Sequence, residues 1–140
     1  MKGTIRTFDP EVRALVLERF EQIVHRTAEA YGCQAQNEVT FLTPAVVNEP
    51  RITSRVQDIV GQVLPESTLD TEERTMGSED MAYILQGVPG CFMFIGSANA
   101  EKQLNAPHHH PRFDFDERVL SRAAALMAAA AADFLTTPSN

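Results

Sequence analysis

The sequence predicts an α/β protein in two parts, a strand–helix–strand unit and a sheet with packed helices, divided near residue 47. Three patterns predict it. Apolar residues recur every three or four positions from 12 to 31, which indicates a helix with one apolar face. Apolar and polar residues alternate from 33 to 42, as in a strand with one wet face. An unbroken apolar run at 91–95 is typical of a strand buried on both faces.

The composition is that of an ordinary soluble protein, and 140 residues suffice for one modest domain or two partial ones. The net charge of −7 argues against nucleic acid or anionic lipid as a partner, because either needs a basic face. No apolar run approaches the roughly 20 residues of a membrane span, and the first residues lack the apolar core of a secretory signal. Cys33 and Cys91 form neither a CxxC motif nor a disulfide framework, so we predict a cytoplasmic protein.

Residues 1–42 are predicted to form a strand, a helix and a second strand. Residues 3–8 alternate in polarity and are rich in Thr and Ile. Asp9 is the predicted N-cap of the helix, Pro10 lies in its first turn, and Gly32 ends it. The apolar face of the helix is Val12, Leu15, Val16, Phe20, Ile23, Val24, Ala28 and Tyr31. Because two strands and one helix cannot close a core, we expect a further element to be missing or supplied in trans.

The second part is predicted to begin with a helix over about 51–64. Its apolar side is Ile52, Val56, Ile59, Val60 and Val63. The polar stretch 67–75 has room for a short strand, and Ser78 is a plausible N-cap for a short helix. A long loop follows over 96–115, and the last element is an Ala-rich helix over about 116–135. The predicted core side of that helix is Val119, Leu120, Met127, Phe134 and Leu135.

The run His108-His109-His110 is the first candidate for chemistry. It is either a solvated loop or a source of metal ligands, since neutral imidazole binds zinc and similar ions. Adjacent histidines cannot easily converge on one ion. The sequence has no second cluster of His, Cys or carboxylates with ligand spacing, so the run is not a complete metal site.

An acidic turn and an arginine are the other candidates. In the stretch Gly77-Ser78-Glu79-Asp80, Ser78 either caps a helix or joins Gly77 in offering backbone amides to an anionic ligand. The two acids would oppose such an anion. Arg6, on the first predicted strand, is either a solvated side chain or a bidentate partner for a carboxylate.

Three stretches resemble the C-terminal end of the metal-dependent amidohydrolases. They are MGSEDMAY at 76–83, VPGCFMFIG at 88–96 and PHHHPRFDFDE at 107–117, and both their order and their spacing match. The similarity is to the aminoacylase/carboxypeptidase superfamily, especially its hippurate hydrolase and indole-acetyl-amino-acid hydrolase branch. GTIRTFDPEVR at 3–13 resembles the second half of that family's lid domain.

The resemblance implies a metallopeptidase with a large α/β catalytic domain and a small inserted lid that commonly makes the dimer. Residues 1–47 would be the second half of a ferredoxin-like, open-faced lid, and residues 48–140 the C-terminal part of the catalytic domain. The implied reaction is hydrolysis of the amide bond of an N-acyl amino acid such as hippurate. Two divalent cations, zinc, manganese or cobalt, would activate the attacking water. The implied partners are that small-molecule substrate and a second copy of the chain.

Three residues match functional positions of the family. His109 matches the metal-binding histidine of an H-x-P-x-F pattern, with Pro111 and Phe113 in place. Gly77 matches the glycine beside the carboxylate of the bound substrate. Arg6 matches the lid arginine that reaches the same carboxylate.

The family's other functional residues have no counterpart in this sequence. Its Cys-x-His or His-x-Asp ligand motif, its catalytic glutamate and its middle histidine all lie upstream of the matching region. The resemblance therefore implies no catalytic base in this chain, and we expect the isolated chain to be inactive, as a truncated product or a fragment of a longer enzyme. The alternative is a non-catalytic assembly module that pairs through residues 1–42 and binds a metal weakly at 108–110.

Overall fold

The computed structural model describes residues 1–137 and contains four α-helices within that range. They are α1 (Pro10–Ala30), α2 (Pro50–Val63), α3 (Met81–Gly87) and α4 (Arg118–Thr136). Contacts divide the chain into two compact units. The first is Met1–Val47 with Glu72–Val88, and the second is Asn48–Thr71 with the described residues from Pro89 onward. The assignment of residues 1–47 to a lid and 48–140 to a catalytic domain stays a prediction.

Helix α1 begins and ends where the sequence predicts. The Asp9 carboxylate accepts hydrogen bonds from the amides of Glu11 and Val12, at 2.7 and 3.0 Å. Pro10 occupies the first turn, where the helix leaves an N–H unpaired in any case. After the last turn Gly32 has a φ of +68°, a conformation that glycine adopts without strain. No residue of α1 is buried, so its predicted apolar face is only partly covered.

The predicted strands do not pair within the described residues. Residues 3–8, 33–42 and 91–95 lie outside regular structure, and the isolated bridge seen in residues 1–137 joins Asn99 to Leu104. A strand is held by a hydrogen-bonded neighbour, and these segments have no ladder partner in the described part of the chain. The helices of the predicted α/β fold are therefore confirmed, whereas its sheet stays a prediction.

The segment at 33–42 follows α1. The guanidinium of Arg13 lies over the Phe41 ring, 4.5 Å from its centroid, and the side-chain amide of Asn37 donates to Glu21 at 2.5 Å. A cation over an aromatic face contributes about 0.5–1 kcal/mol at an exposed site. These contacts hold the segment on the helix without burying any α1 side chain.

The core of the second unit lies between α2 and α4. Ile59 and Val60 of α2 and Leu126 of α4 are each at most 6% exposed. Partly buried residues pack around them: Val63, Leu64, Met93, Ala129 and Ala130. Helix α2 thus buries the side that the sequence predicts, and Glu49 caps its start by accepting a hydrogen bond from the Ile52 amide at 2.7 Å.

The predicted core side of α4 is wrong. Of the five predicted residues, Val119 is half-buried. The other four are exposed: Leu120, Met127, Phe134 and Leu135. The helix instead turns Leu126, Ala129 and Ala130 toward the core. The distance between packed helices depends on the side chains at the contact, and alanines let α4 approach α2 closely.

An arginine from α2 closes the C-terminal end of α4. Arg55 Nε donates to the Asp133 carboxylate at 2.5 Å, and its Nη2 donates to the carbonyls of Asp133 and Thr137 at 2.8 and 3.1 Å. Its guanidinium also lies over the Phe134 ring, 4.1 Å from the centroid. Arg55 therefore satisfies carbonyls at the helix end and places a positive charge where the helix dipole is negative.

The expectation that no apolar stretch approaches a membrane span is wrong by length and composition, because α4 is one helix in residues 1–137 that is long and apolar enough to cross a membrane. One such helix is weak evidence, because mostly buried core helices of soluble proteins meet the same criterion, although only 6% of the apolar stretch of α4 is buried. Here Leu126 packs in the α2–α4 core and Asp133 pairs with Arg55. In the second unit, α4 therefore packs against α2.

Asn48 fixes the start of the apolar run at 91–95 beside α2. Its side-chain amide donates to the Phe92 carbonyl and accepts from the Phe92 amide, each at 2.8 Å. The Glu49 amide donates to the Gly90 carbonyl at 2.9 Å. The neighbouring Cys91 is half-buried, and this desolvation raises the pKa of its thiol. The Cys91 thiol is therefore less inclined to ionise than a free cysteine.

The amount of exposed apolar surface predicts self-association. The hydrophobic residues buried in the described chain are Val56, Ile59, Val60, Ala82 and Leu126. By contrast, Ile23 is 64%, Phe94 65% and Leu135 87% exposed. Large exposed apolar patches usually mark surfaces that another protein covers. We expect the purified chain to bind a hydrophobic dye and to form larger species as its concentration rises, as measured by light scattering. A dye-silent monomer at high concentration would contradict this expectation.

Candidate functional site

Two of the residues singled out in the sequence lie together in the first unit. Arg6 Nη1 donates a hydrogen bond of 2.5 Å to the carbonyl of Met76, the residue immediately before Gly77. These positions are 70 residues apart in the chain, and both side chains are exposed. A guanidinium has five N–H donors, so the contact with Met76 leaves others for a ligand. The arrangement can therefore present a cation beside the Gly77 backbone.

The backbone at Gly77 does not itself require glycine. Its φ is not in the left-handed region, and a β-carbon added there would lie 3.7 Å from Thr75 Oγ1, an ordinary contact. An alanine at this position would therefore fold without strain. Any effect of that substitution on a ligand would reflect the added methyl group at the surface.

Two hydroxyl contacts hold the segment after Gly77 in place. Thr43 Oγ1 and Ser78 Oγ are 2.8 Å apart, and the Tyr83 hydroxyl donates to the Leu42 carbonyl at 2.5 Å. The prediction of Ser78 as an N-cap is wrong, because α3 begins after Asp80, which makes no side-chain capping bond. Ser78 is instead held by Thr43. Sequence reasoning misses these contacts because no local pattern connects residues some 40 positions apart.

The three histidines lie in the second unit and have different environments. The His108 ring contacts the Phe113 ring edge-on, with 4.8 Å between centroids. His110 Nδ1 accepts a hydrogen bond of 3.1 Å from the Arg112 amide. The His109 ring is exposed and makes no hydrogen bond in the described part of the chain. Its one ring contact there is an edge contact with the His108 ring. In the described residues Nδ1 of His110 is therefore engaged, whereas the ring nitrogens of His108 and His109 make no hydrogen bond.

The backbone of His109 is also distinct. Its φ is +64°, in the left-handed region, where a residue with a β-carbon is uncommon. The His110 amide donates to the Pro107 carbonyl at 3.1 Å, and the Phe113 amide donates to the His110 carbonyl at 2.8 Å. His109 is the third residue of the first turn, and the second turn begins at the next residue.

A buried carboxylate lies at the base of the segment that carries these histidines. Asp116 is 8% exposed and accepts hydrogen bonds from Asn99 Nδ2 at 2.6 Å, Lys102 Nζ at 3.3 Å and Arg118 Nη2 at 2.6 Å. The Arg118 contact, followed by that of Asn99, holds the pKa of Asp116 far below its usual range. The Asp116 amide donates to the Ser97 carbonyl at 2.9 Å. No sequence pattern singles out Asp116, because one acid among several in FDFDE carries no sign of burial.

The donor set of the described chain does not fit a complete metal site. Residues 1–137 contain no group of three or more His, Cys, Asp or Glu side chains that could hold a metal ion. His109 can offer one imidazole, whereas Cys33 is exposed and separate from it in sequence. Arg6 and Gly77 lie in the first unit, and His109 lies in the second.

Comparison with known proteins gives a family and several relatives. The model of peptidase family M20/M25/M40 matches residues 10–133. The thermostable carboxypeptidase 1 of Saccharolobus solfataricus is 35% identical over 96% of this chain and 34% of its own length. The N-acetyl-L-cysteine deacetylase of Bacillus subtilis is 32% identical over 88% of this chain and 28% of its own. The IAA-amino acid hydrolase ILR1-like 4 of Arabidopsis thaliana is 30% identical over 95% and 31%, respectively.

The matches cover most of this chain but only part of each relative. The chain spans about a third of the length of the curated relatives it matches. No solved structure matches it significantly.

Proposed function

The chain belongs to peptidase family M20/M25/M40, and on that premise we propose that it forms the C-terminal third of a metal-dependent amidohydrolase. The proposed substrate is an N-acyl amino acid of the hippurate type. The names of the three relatives support this class, since a carboxypeptidase, an N-acetyl-L-cysteine deacetylase and an IAA-amino acid hydrolase all act on a bond to an amino acid. Such substrates share a free carboxylate beside the bond to be cleaved.

The contact between Arg6 and Met76 is the observation that carries the proposal. It brings a guanidinium to the backbone at Gly77, and both positions are exposed to a ligand. A guanidinium is suited to a carboxylate because its N–H groups can bind both oxygens. Gly77 has no side chain to keep the carboxylate away from the backbone. We therefore assign the carboxylate of the substrate to Arg6 and Gly77.

His109 would contribute one ligand to a divalent cation, zinc, manganese or cobalt. The remaining ligands and the catalytic base would come from residues outside this chain, because the described residues contain no metal-binding group of three. The chain on its own would then be inactive. A cytoplasmic homo-oligomer formed through residues 1–47 is part of the same proposal.

A non-catalytic assembly module is the second candidate. The partly covered face of α1, where no residue is buried, favours it. The two candidates differ in what the first unit should bind. An amidohydrolase fragment should prefer a carboxylate ligand over its amide, whereas an assembly module should bind neither.

The test is a titration of the 140-residue chain with hippurate and with hippuramide, in which NMR monitors binding. We expect hippurate, and not hippuramide, to shift the signals of Arg6 and Gly77. Arg6→Ala should weaken hippurate binding by about 10–100-fold, since hydrogen bonds to charged groups contribute about 1.5–3 kcal/mol. Gly77→Ala should also weaken binding while leaving the fold unchanged.

Arg26→Ala is the matched control, because it removes an exposed arginine from α1 in the same unit. It should leave hippurate binding unchanged. Equal binding of the acid and the amide, or equal losses from Arg6→Ala and Arg26→Ala, would overturn the assignment.

A further inference from the structure

We propose that Asp116 is a positioning residue that closes the base of the histidine loop, residues 97–118, and thereby keeps His109 in its left-handed conformation. The value of this arrangement for metal binding rests on the function proposed above. The closure itself does not, because it involves contacts within the second unit alone. Asp116 acts through the loop backbone and is not assigned any contact with metal or substrate.

The carboxylate of Asp116 joins both ends of the loop. Asn99 and Lys102 donate to it from the beginning of the loop, and Arg118 donates from the end, through Nε, Nη2 and its amide. The backbone bond from Asp116 to Ser97 lies at the same place. A buried carboxylate is tolerated only when it is paired and hydrogen-bonded, so these contacts are expected to form and break together.

The stretch between the two ends of the histidine loop has little regular structure. Residues 100–115 contain no helix, and the bridge between Asn99 and Leu104 joins only the first turn. Two residues in this stretch with side chains have a positive φ, Gln103 at 60° and His109 at 64°. A left-handed residue with a β-carbon persists only when its surroundings impose the conformation.

The base of the loop is connected to His109 through the loop backbone. Bringing the two ends of a loop together costs entropy, and this cost grows slowly with the length of the loop. If Asp116 released Asn99 and Lys102, the loop would lose the constraint at its beginning, and the Pro107–His110 turn, whose third position is His109, would lose that support as well. His109 would then relax to the negative φ that its β-carbon favours, and its ring would leave the direction that it has in the closed loop.

The experiment compares Asp116→Ala with Asp114→Asn in the 140-residue chain. Asp114 is the control because it lies in the same loop, is exposed, and accepts a hydrogen bond from the adjacent Phe115 amide. Hydrogen exchange of the Leu104 and His110 amides should be at least tenfold faster in Asp116→Ala and unchanged in Asp114→Asn. The strong NOE between amide and Hα that a positive φ produces at His109 should disappear in Asp116→Ala alone.

Asp116→Asn keeps an acceptor oxygen and should restore part of the protection. Because loss of Asp116 could also loosen the start of α4, Asn99→Ala serves as a second variant that leaves the Arg118 contact intact. It should speed exchange of the Leu104 amide at least severalfold while the α4 amides keep their protection. If His109 keeps its NOE pattern and the loop amides keep their protection in Asp116→Ala and Asn99→Ala, the proposal is wrong. These exchange and NOE measurements do not depend on hippurate binding. Failure of the Asp116 proposal is therefore distinguishable from failure of the proposed function.

Discussion

Substitution of His109 by alanine should lower metal affinity and kcat together, each by more than about 100-fold. The substitution is made in a chimaera in which this chain replaces the matching third of the Saccharolobus solfataricus thermostable carboxypeptidase 1. Changes to groups that only support a metal ligand typically lower affinity or activity by about 10–100-fold, and the loss of a ligand should exceed that. Metal content, measured on the purified chimaera, provides a readout that does not depend on turnover.

The neighbouring histidines provide the matched controls for this prediction. His109 is the histidine that matches the H-x-P-x-F pattern, whereas the His108 ring packs edge-on against Phe113 and His110 Nδ1 accepts from the Arg112 amide. We therefore expect His108→Ala and His110→Ala to lower metal affinity by less than about tenfold. If either variant lost as much metal as His109→Ala, the role given to His109 would be wrong.

The ends of α1 could be predicted from sequence because local chemistry determines them. Asp9 reaches amides two and three positions away, and Gly32 adopts a conformation that other residues avoid. The buried side of α2 could be predicted for a similar reason, since Val56, Ile59 and Val60 follow the period of the helix. Neither prediction depends on distant parts of the chain.

The face of α4 could not be predicted in the same way. Hydrophobicity alone favours the large residues Leu120, Met127 and Leu135, whereas the partner helix accepts Leu126 with the small Ala129 and Ala130. Which side is buried depends on the shape of α2, and this information lies outside the α4 sequence. The sheet depends on partners in the same sense, because a strand forms only beside another strand.

The candidate site shows the same limit. No local pattern connects Arg6 to Met76 across 70 positions, and the resemblance to the amidohydrolases was what placed Arg6 and Gly77 at one carboxylate. Arg6 contacts the carbonyl that precedes Gly77, and the assignment of both residues to one carboxylate stays a proposal. The burial of Asp116 had no sequence signal, because it requires donors from both sides of the histidine loop.

The second large effect is a complete lack of amidohydrolase activity in the isolated chain. The isolated 140-residue chain should show no amidohydrolase activity above the uncatalysed rate, because residues 1–137 hold no complete metal-binding group and no catalytic base is assigned to them. Enzymes accelerate reactions by at least about 10⁶-fold, and this acceleration needs the whole constellation of groups. Joining the chain to the rest of a related enzyme should restore amidohydrolase activity.

The most direct test of the account measures hippurate hydrolysis by the isolated chain and by the chimaera, each with zinc, manganese or cobalt. The account predicts metal-dependent turnover by the chimaera, its loss in His109→Ala, and no turnover by the isolated chain at any concentration or with any of the three metals. Robust, metal-dependent hydrolysis of hippurate by the isolated chain would contradict the claim that it is one part of a larger active site.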